Sequence, residues 1–219
     1  MDDFSPSGYA RSGAAARTET SALLGQVMFL VAVALGFMTI GAWIGQDLSQ
    51  GAAFACFIAG FVMLMAANFV EKLRVGPVAI GWLYAIALLI GLGVGPTINY
   101  FLENDGTVIT QAVGFTALIT LGMGAGGFAV SKDLAGWMRP LTYIVLGCVV
   151  ISFVMLIFSS GGNPILSAVI GIASALLIAV DFNYLKKHGT QNDAVWLATG
   201  IFVSIVNIFF SLLNILGGD

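Results

Sequence analysis

The chain has 219 residues, 59% of them hydrophobic and only 9% charged, with a mean hydropathy of +1.00. Soluble domains carry roughly a quarter of their residues as Asp, Glu, Lys and Arg, so this chain cannot clothe a water-facing surface and reads as an all-α integral membrane protein folded as one bundle. The net charge of -3 comes without any basic cluster, which leaves nothing to grip a nucleic-acid backbone.

Residues 1 to about 21 are polar, rich in Ser, Ala, Gly and Arg, and read as a disordered cytoplasmic tail. Asp2, Asp3 and Glu19 argue against a transit peptide, and the length of the first apolar run argues against a cleaved signal peptide. The transmembrane domain is expected over residues 22–219. Seven apolar runs fill it, near Ala22–Gly45, Ala52–Val70, Val78–Phe101, Val108–Val130, Leu141–Phe158, Ile165–Leu185 and Ala194–Leu216. Each approaches the ~20 residues that a helical span needs. Barrel strands alternate over ~10 residues and do not fit runs this long and uniform.

The basic residues set an orientation. Arg11, Arg17, Lys72, Arg74, Lys132, Arg139, Lys186 and Lys187 fall in the tail and in the connections after spans two, four and six, and the connections after spans one, three and five hold none. The positive-inside rule then places the N-terminus in the cytoplasm and, with an odd number of spans, the C-terminus outside. Cys56 and Cys148 lie within apolar runs and read as small buried hydrophobes.

Spans six and seven carry polar stripes. Ser167, Gly171, Ser174, Ile178 and Asp181 recur at steps of four and three, and so do Gly200, Ser204, Asn207, Ser211 and Asn214. Each set is one helix face. Such faces turn away from lipid, either as a hydrogen-bonded helix contact or as the lining of a water-accessible path. Asp181 is the acid within an apolar run, and intramembrane carboxylates usually face a protein interior or water and work there. It precedes Lys186 by five residues, about 7 Å of depth at ~1.5 Å per residue. Arg74 is the first candidate partner for its charge, with Lys72, Lys132 and Arg139 behind it. Lys186 and Lys187 do not share its face.

Several motifs are set aside. Gly122 to Gly127 fits GxGxxG, but that fingerprint needs a preceding strand, and close helix packing or a kink fits better. Gly91, Gly93 and Gly95, followed by Pro96, read as a loosened outer end of span three. An intramembrane aspartyl protease needs two carboxylates in the membrane, a serine protease a histidine there, and a retinal protein a lysine. His188 reads as a solvated residue of a connection. No catalytic residue, metal site or bound cofactor is expected.

The order of local motifs resembles the Bax inhibitor-1 family, in particular its bacterial YccA-like members. Thr116-Ala117-Leu118 through Ser131-Lys132-Asp133-Leu134-Ala135-Gly136 is similar to the family's "TA…TKxDLSxLG" stretch, and Gly95-Pro96 to its "LGP". Ile178 to Asn183 is similar to "IAYDTQ", and Ile201 to Gly217 to "LYLDFINLFLxLLRILG". Arg11-Ser12-Gly13-Ala14 before span one adds to the likeness. The resemblance implies a seven-helix bundle whose last helix is surrounded by the other six. It implies a pH-sensitive calcium leak, closed by a proton-dependent contact between two aspartates on the last two spans. For YccA-like members it implies association with the membrane AAA protease FtsH. Asp181 falls on the first aspartate, but Ser204 falls on the second and Asn214 on the arginine of "LLRILG". A paired-carboxylate latch therefore cannot form here, although Ser204 has a hydroxyl to offer Asp181.

Two functions follow from this reading. One is a pH-modulated calcium or cation leak through the bundle, with Asp181, Ser204, Asn207 and Arg74 as the ion path and latch, and Ser174, Ser211 and Asn214 as its polar stripe; calcium enters as the transported ion. The other is a non-transporting partner of a membrane AAA protease, grasped by its N-terminal tail. Short connections and a cytoplasmic side made mostly of tail place the protein in a bacterial inner membrane.

Overall fold

The computed structural model describes residues 6–158 and 163–218. Seven long helices form it: α1 (Pro6–Gly45), α2 (Gln50–Phe69), α3 (Pro77–Asn104), α4 (Gly106–Ala129), α5 (Met138–Phe158), α6 (Pro164–Lys187) and α7 (Ala194–Leu216). No strand occurs among the described residues. All seven helices are long and apolar enough to cross a membrane, and the protein is a multi-pass membrane protein. In α1 the crossing part is Thr18–Gly45. The helix runs back to Pro6, into the stretch read as tail, while residues 1–5 of that stretch lie outside the described residues.

Local chemistry sets the helix ends. Orphan N–H groups at a helix start need acceptors. Ser49 accepts from the amide of Ala52, Asp105 from that of Thr107, and Asn163 from those of Ile165 and Leu166. Pro77 and Pro164 open α3 and α6, where a missing N–H costs nothing. Gly76 precedes Pro77 with φ +85°, a left-handed backbone open to glycine at little cost.

Glycines decide which helices touch. A methyl at Gly91 of α3 would strike the carbonyl of Met38, and one at Gly95 would lie 2.5 Å from the carbonyl carbon of Gly45, so α1 and α3 meet backbone to backbone. The expectation of a loosened outer end of span three is thus corrected. α3 continues through Pro96 to Asn104, because its glycines are filled by α1 and by Phe57 of α2. Two glycines of the GxGxxG stretch behave as close packing requires, while Gly122 has open space around it. Gly124 lies under the ring of Phe182, and Gly127 meets the backbone of Ala179.

The last helix is central. α7 packs on α6, α1, α4 and α3, while α2 leans on α3 and α5 on α6. Half of the apolar stretch of α7 is buried, against 11% for α2 and α5. The core between α1, α3 and α7 is made by Val27, Val31, Leu83, Ile86, Ile201 and Phe202. The arrangement differs from one helix ringed by six, because α2 and α5 form an outer pair. Their contact is aromatic: Phe153 of α5 stands 6.4, 5.5 and 5.3 Å from the ring centroids of Phe54, Phe57 and Phe61 of α2.

Candidate functional site

The two polar stripes face each other in an antiparallel seam. The Ser167 hydroxyl donates to the Asn214 side-chain carbonyl at 3.0 Å. Gly171 faces Ser211, where an added Cβ would lie 3.0 Å from the serine Cβ. Asp181 faces Gly200, with its Oδ2 3.3 Å from where a Cβ would stand. These three pairs share one register, which brings Ser174 level with Asn207 and Ile178 level with Ser204. The stripes therefore form a tight contact that carries a row of polar groups inside the bundle, interrupted on α6 by Ile178.

Burial is deep along this line. Ser174 has no exposed surface, and Asp181, Ser204 and Ser211 are 6%, 3% and 5% exposed. Asn207 and Asn214 are half-buried. Among the described residues no ion pair reaches Asp181, and no hydrogen bond joins it to Ser204. The group opposite the carboxylate is Gly200, one turn before Ser204. Arg74 is also placed elsewhere: its Nε donates to the carbonyl of Ala67 at 2.8 Å, at the end of α2. That arginine lies in the connection between α2 and α3, which pack on each other. An ionised carboxylate at this depth must have a cation, a proton or water beside it.

A second polar cluster lies at the same end of the bundle, where the last turn of α6 holds the connection between α4 and α5. Asn183 is fully buried. Its amide donates to the carbonyls of Gly127, Val130 and Lys132, each at 3.1 Å, and its carbonyl accepts from the amide of Leu134 at 2.9 Å. Lys186 donates to the carbonyl of Phe128 at 2.7 Å, and Lys187 to that of Ser131. The last carbonyls of a helix lack intrahelical partners and carry partial negative charge, so two ammonium groups and an amide are apt there. His188 stands 2.7 Å from Asp133. The histidine expected in solvent is thus half-exposed but paired. The backbone N–H of Ala135 and then His188 hold the Asp133 carboxyl below the ordinary carboxylate range. The sequence reading missed Asn183, which lies two residues beyond Asp181 and so off its face. An amide in an apolar run signals a partner without saying which.

Residues 20–219 match the family described as inhibitor of apoptosis-promoting Bax1. The chain belongs to the Bax inhibitor-1 family. An uncharacterized protein of Pseudomonas aeruginosa is 30% identical over 213 residues, covering 94% of this chain and 93% of its own length. An uncharacterized protein of Neisseria meningitidis serogroup A is 28% identical over 198 residues, covering 83% of this chain and 86% of its own. An uncharacterized membrane protein of Vibrio cholerae is 28% identical over 140 residues, 62% of either chain. This Bax inhibitor-1 family member carries one acid in the α6/α7 seam, Asp181, set against a glycine.

Proposed function

We propose that this Bax inhibitor-1 family protein is a slow, pH-modulated cation leak, with calcium as the transported ion and Asp181 as the controlling group. One observation carries the reading. A carboxylate buried between α6 and α7 has no cationic side chain paired with it among the described residues, and it continues a polar line formed by Ser174, Ser204, Asn207 and Ser211. A passing cation or a proton is the natural company of such a group, and exchange of one for the other couples flux to pH. Gly200 leaves the carboxylate directly against the backbone of α7. The reading needs no catalytic residue and no bound cofactor. The location proposed is a bacterial inner membrane, with the N-terminus and the lysine-bearing connections in the cytoplasm. The bacterial relatives and the one-sided placement of basic residues support it.

The experiment is calcium flux into proteoliposomes across a pH series, for the native chain, Asp181→Asn and Ser204→Asp. The native chain is expected to leak above empty vesicles. Asp181→Asn should flatten the pH dependence, and Ser204→Asp should steepen it by adding a second titrating group. Flux indistinguishable from empty vesicles in all three overturns the proposal.

A second reading is a partner of an FtsH-type membrane AAA protease. It is favoured by the extension of α1 from Pro6 to the start of its crossing part at Thr18, a stretch that a cytoplasmic protein can grasp. Deleting residues 2–18 should abolish co-purification with the protease while the bundle stays folded. Association that survives the deletion removes this stretch from the account.

A further inference from the structure

Hydroxyls within apolar helices often turn back onto the carbonyl one turn earlier. Thr39, Thr110, Thr116, Thr142, Ser152 and Thr199 all do so here. Among the described residues, two hydroxyls whose oxygens are wholly shut off from the surface do not: those of Thr120 and Ser174 have no partner in the protein. Ser174 has no exposed surface at all. Thr120 belongs to the inward face of α4, between the buried residues Thr116 and Gly124.

The two hydroxyls come from different helices and lie at one depth. α4 and α6 run in the same direction, as the matched pairs Phe128–Lys186 and Asp133–His188 require. Gly127 meets Ala179, so Thr120 is level with Ile172, two residues from Ser174. Across the antiparallel seam Ser174 is level with Asn207. All three therefore fall within about one helical turn, ~5.4 Å, of one another in depth. α4 packs on both α6 and α7, which makes this the junction of three helices.

The chemistry selects the guest. A bare cation would use only the lone pairs of the hydroxyls and leave their hydrogens unused. Water both donates and accepts, and a buried water needs two to four polar partners. We propose that Thr120, Ser174 and Asn207 hold ordered water at the junction of α4, α6 and α7. Its role rests on the leak proposed above: it is an interior station where a passing ion regains part of its hydration. The fully buried Ile178, level with Ser204, separates this station from Asp181.

Water-edited solid-state NMR on the full chain in lipid bilayers tests the site. The side-chain signals of Thr120 and Ser174 are expected to receive polarisation from water, while that of Ile86, in the core between α1 and α3, is not. Ser174→Ala should abolish the transfer at Thr120, and Thr120→Val, which keeps the side-chain shape, should abolish it at Ser174. Transfer at either hydroxyl no faster than at Ile86 overturns the site. The flux assay reads the role separately. A wet junction in a protein that does not leak keeps the site and overturns its role in transport. A leak through a protein with a dry junction overturns the site and leaves the reading of Asp181 standing.

Discussion

Asn183 joins four backbone groups of the segment after α4, and three of these are carbonyls that the helix ladder leaves open or shares. Replacing it by Ala strands them at a buried site, at a cost of about 2–4 kcal/mol for the set. Thermal unfolding in detergent should show that loss for Asn183→Ala and little change for Asn104→Ala, an exposed amide bonded within its own helix. Asp133 carries a pH prediction. Its folded-state value is depressed, first by the Ala135 amide and then by His188. The stability it contributes is therefore present above the ordinary carboxylate range and is lost as pH falls through the lowered value. Asp133→Asn should flatten the acid limb of stability against pH, measured from about pH 5 downward; an unchanged limb counts against the pairing. The intramembrane acid itself was legible, because one charge in an apolar run stands out. Its neighbour was not. Gly200, the residue against the carboxylate, is a glycine in a chain with 28 of them.

At the scale of elements, the glycines divide by what surrounds them. Gly91 is met by the Met38 carbonyl, whereas Gly81 and Gly122 have nothing within 4 Å of a would-be Cβ. Gly91→Ala forces α1 and α3 apart and should cost about 1–3 kcal/mol as overpacking. Gly81→Ala and Gly122→Ala lie in helices with open space and should be neutral or stabilising by up to about 1 kcal/mol. Unfolding midpoints of the three variants check the contrast, and equal effects would mean that α1 and α3 are not in backbone contact. Helix existence was legible from apolar run length. The firmness of the outer end of α3 was not, because a proline after three glycines looks loosened until a neighbouring helix fills the glycine notches.

At the scale of the molecule, the basic residues mark one end of the bundle, and Asp105 in the joint between α3 and α4 belongs to the other. In a background with Cys56 and Cys148 replaced by Ser, Asp105→Cys should react with a membrane-impermeant maleimide added outside, and Lys132→Cys should not. Both positions are exposed. The reverse pattern would invert the proposed orientation. The sequence by itself determined the class of protein, its seven spans, the end of the bundle that carries its basic residues and the buried acid. A bilayer core demands ~20 apolar residues per crossing and makes charge expensive, so these features are written as length and composition. The tertiary structure alone decided that α7 is packed by four helices while α2 and α5 stand outside, that Asp181 faces Gly200 rather than Ser204 or Arg74, and that Asn183 fastens the end of α4. Lipid is as apolar as a protein core, so lipid-facing and core-facing residues look alike in composition. Only the fit of small residues and the pairing of polar groups across helices tells the two apart.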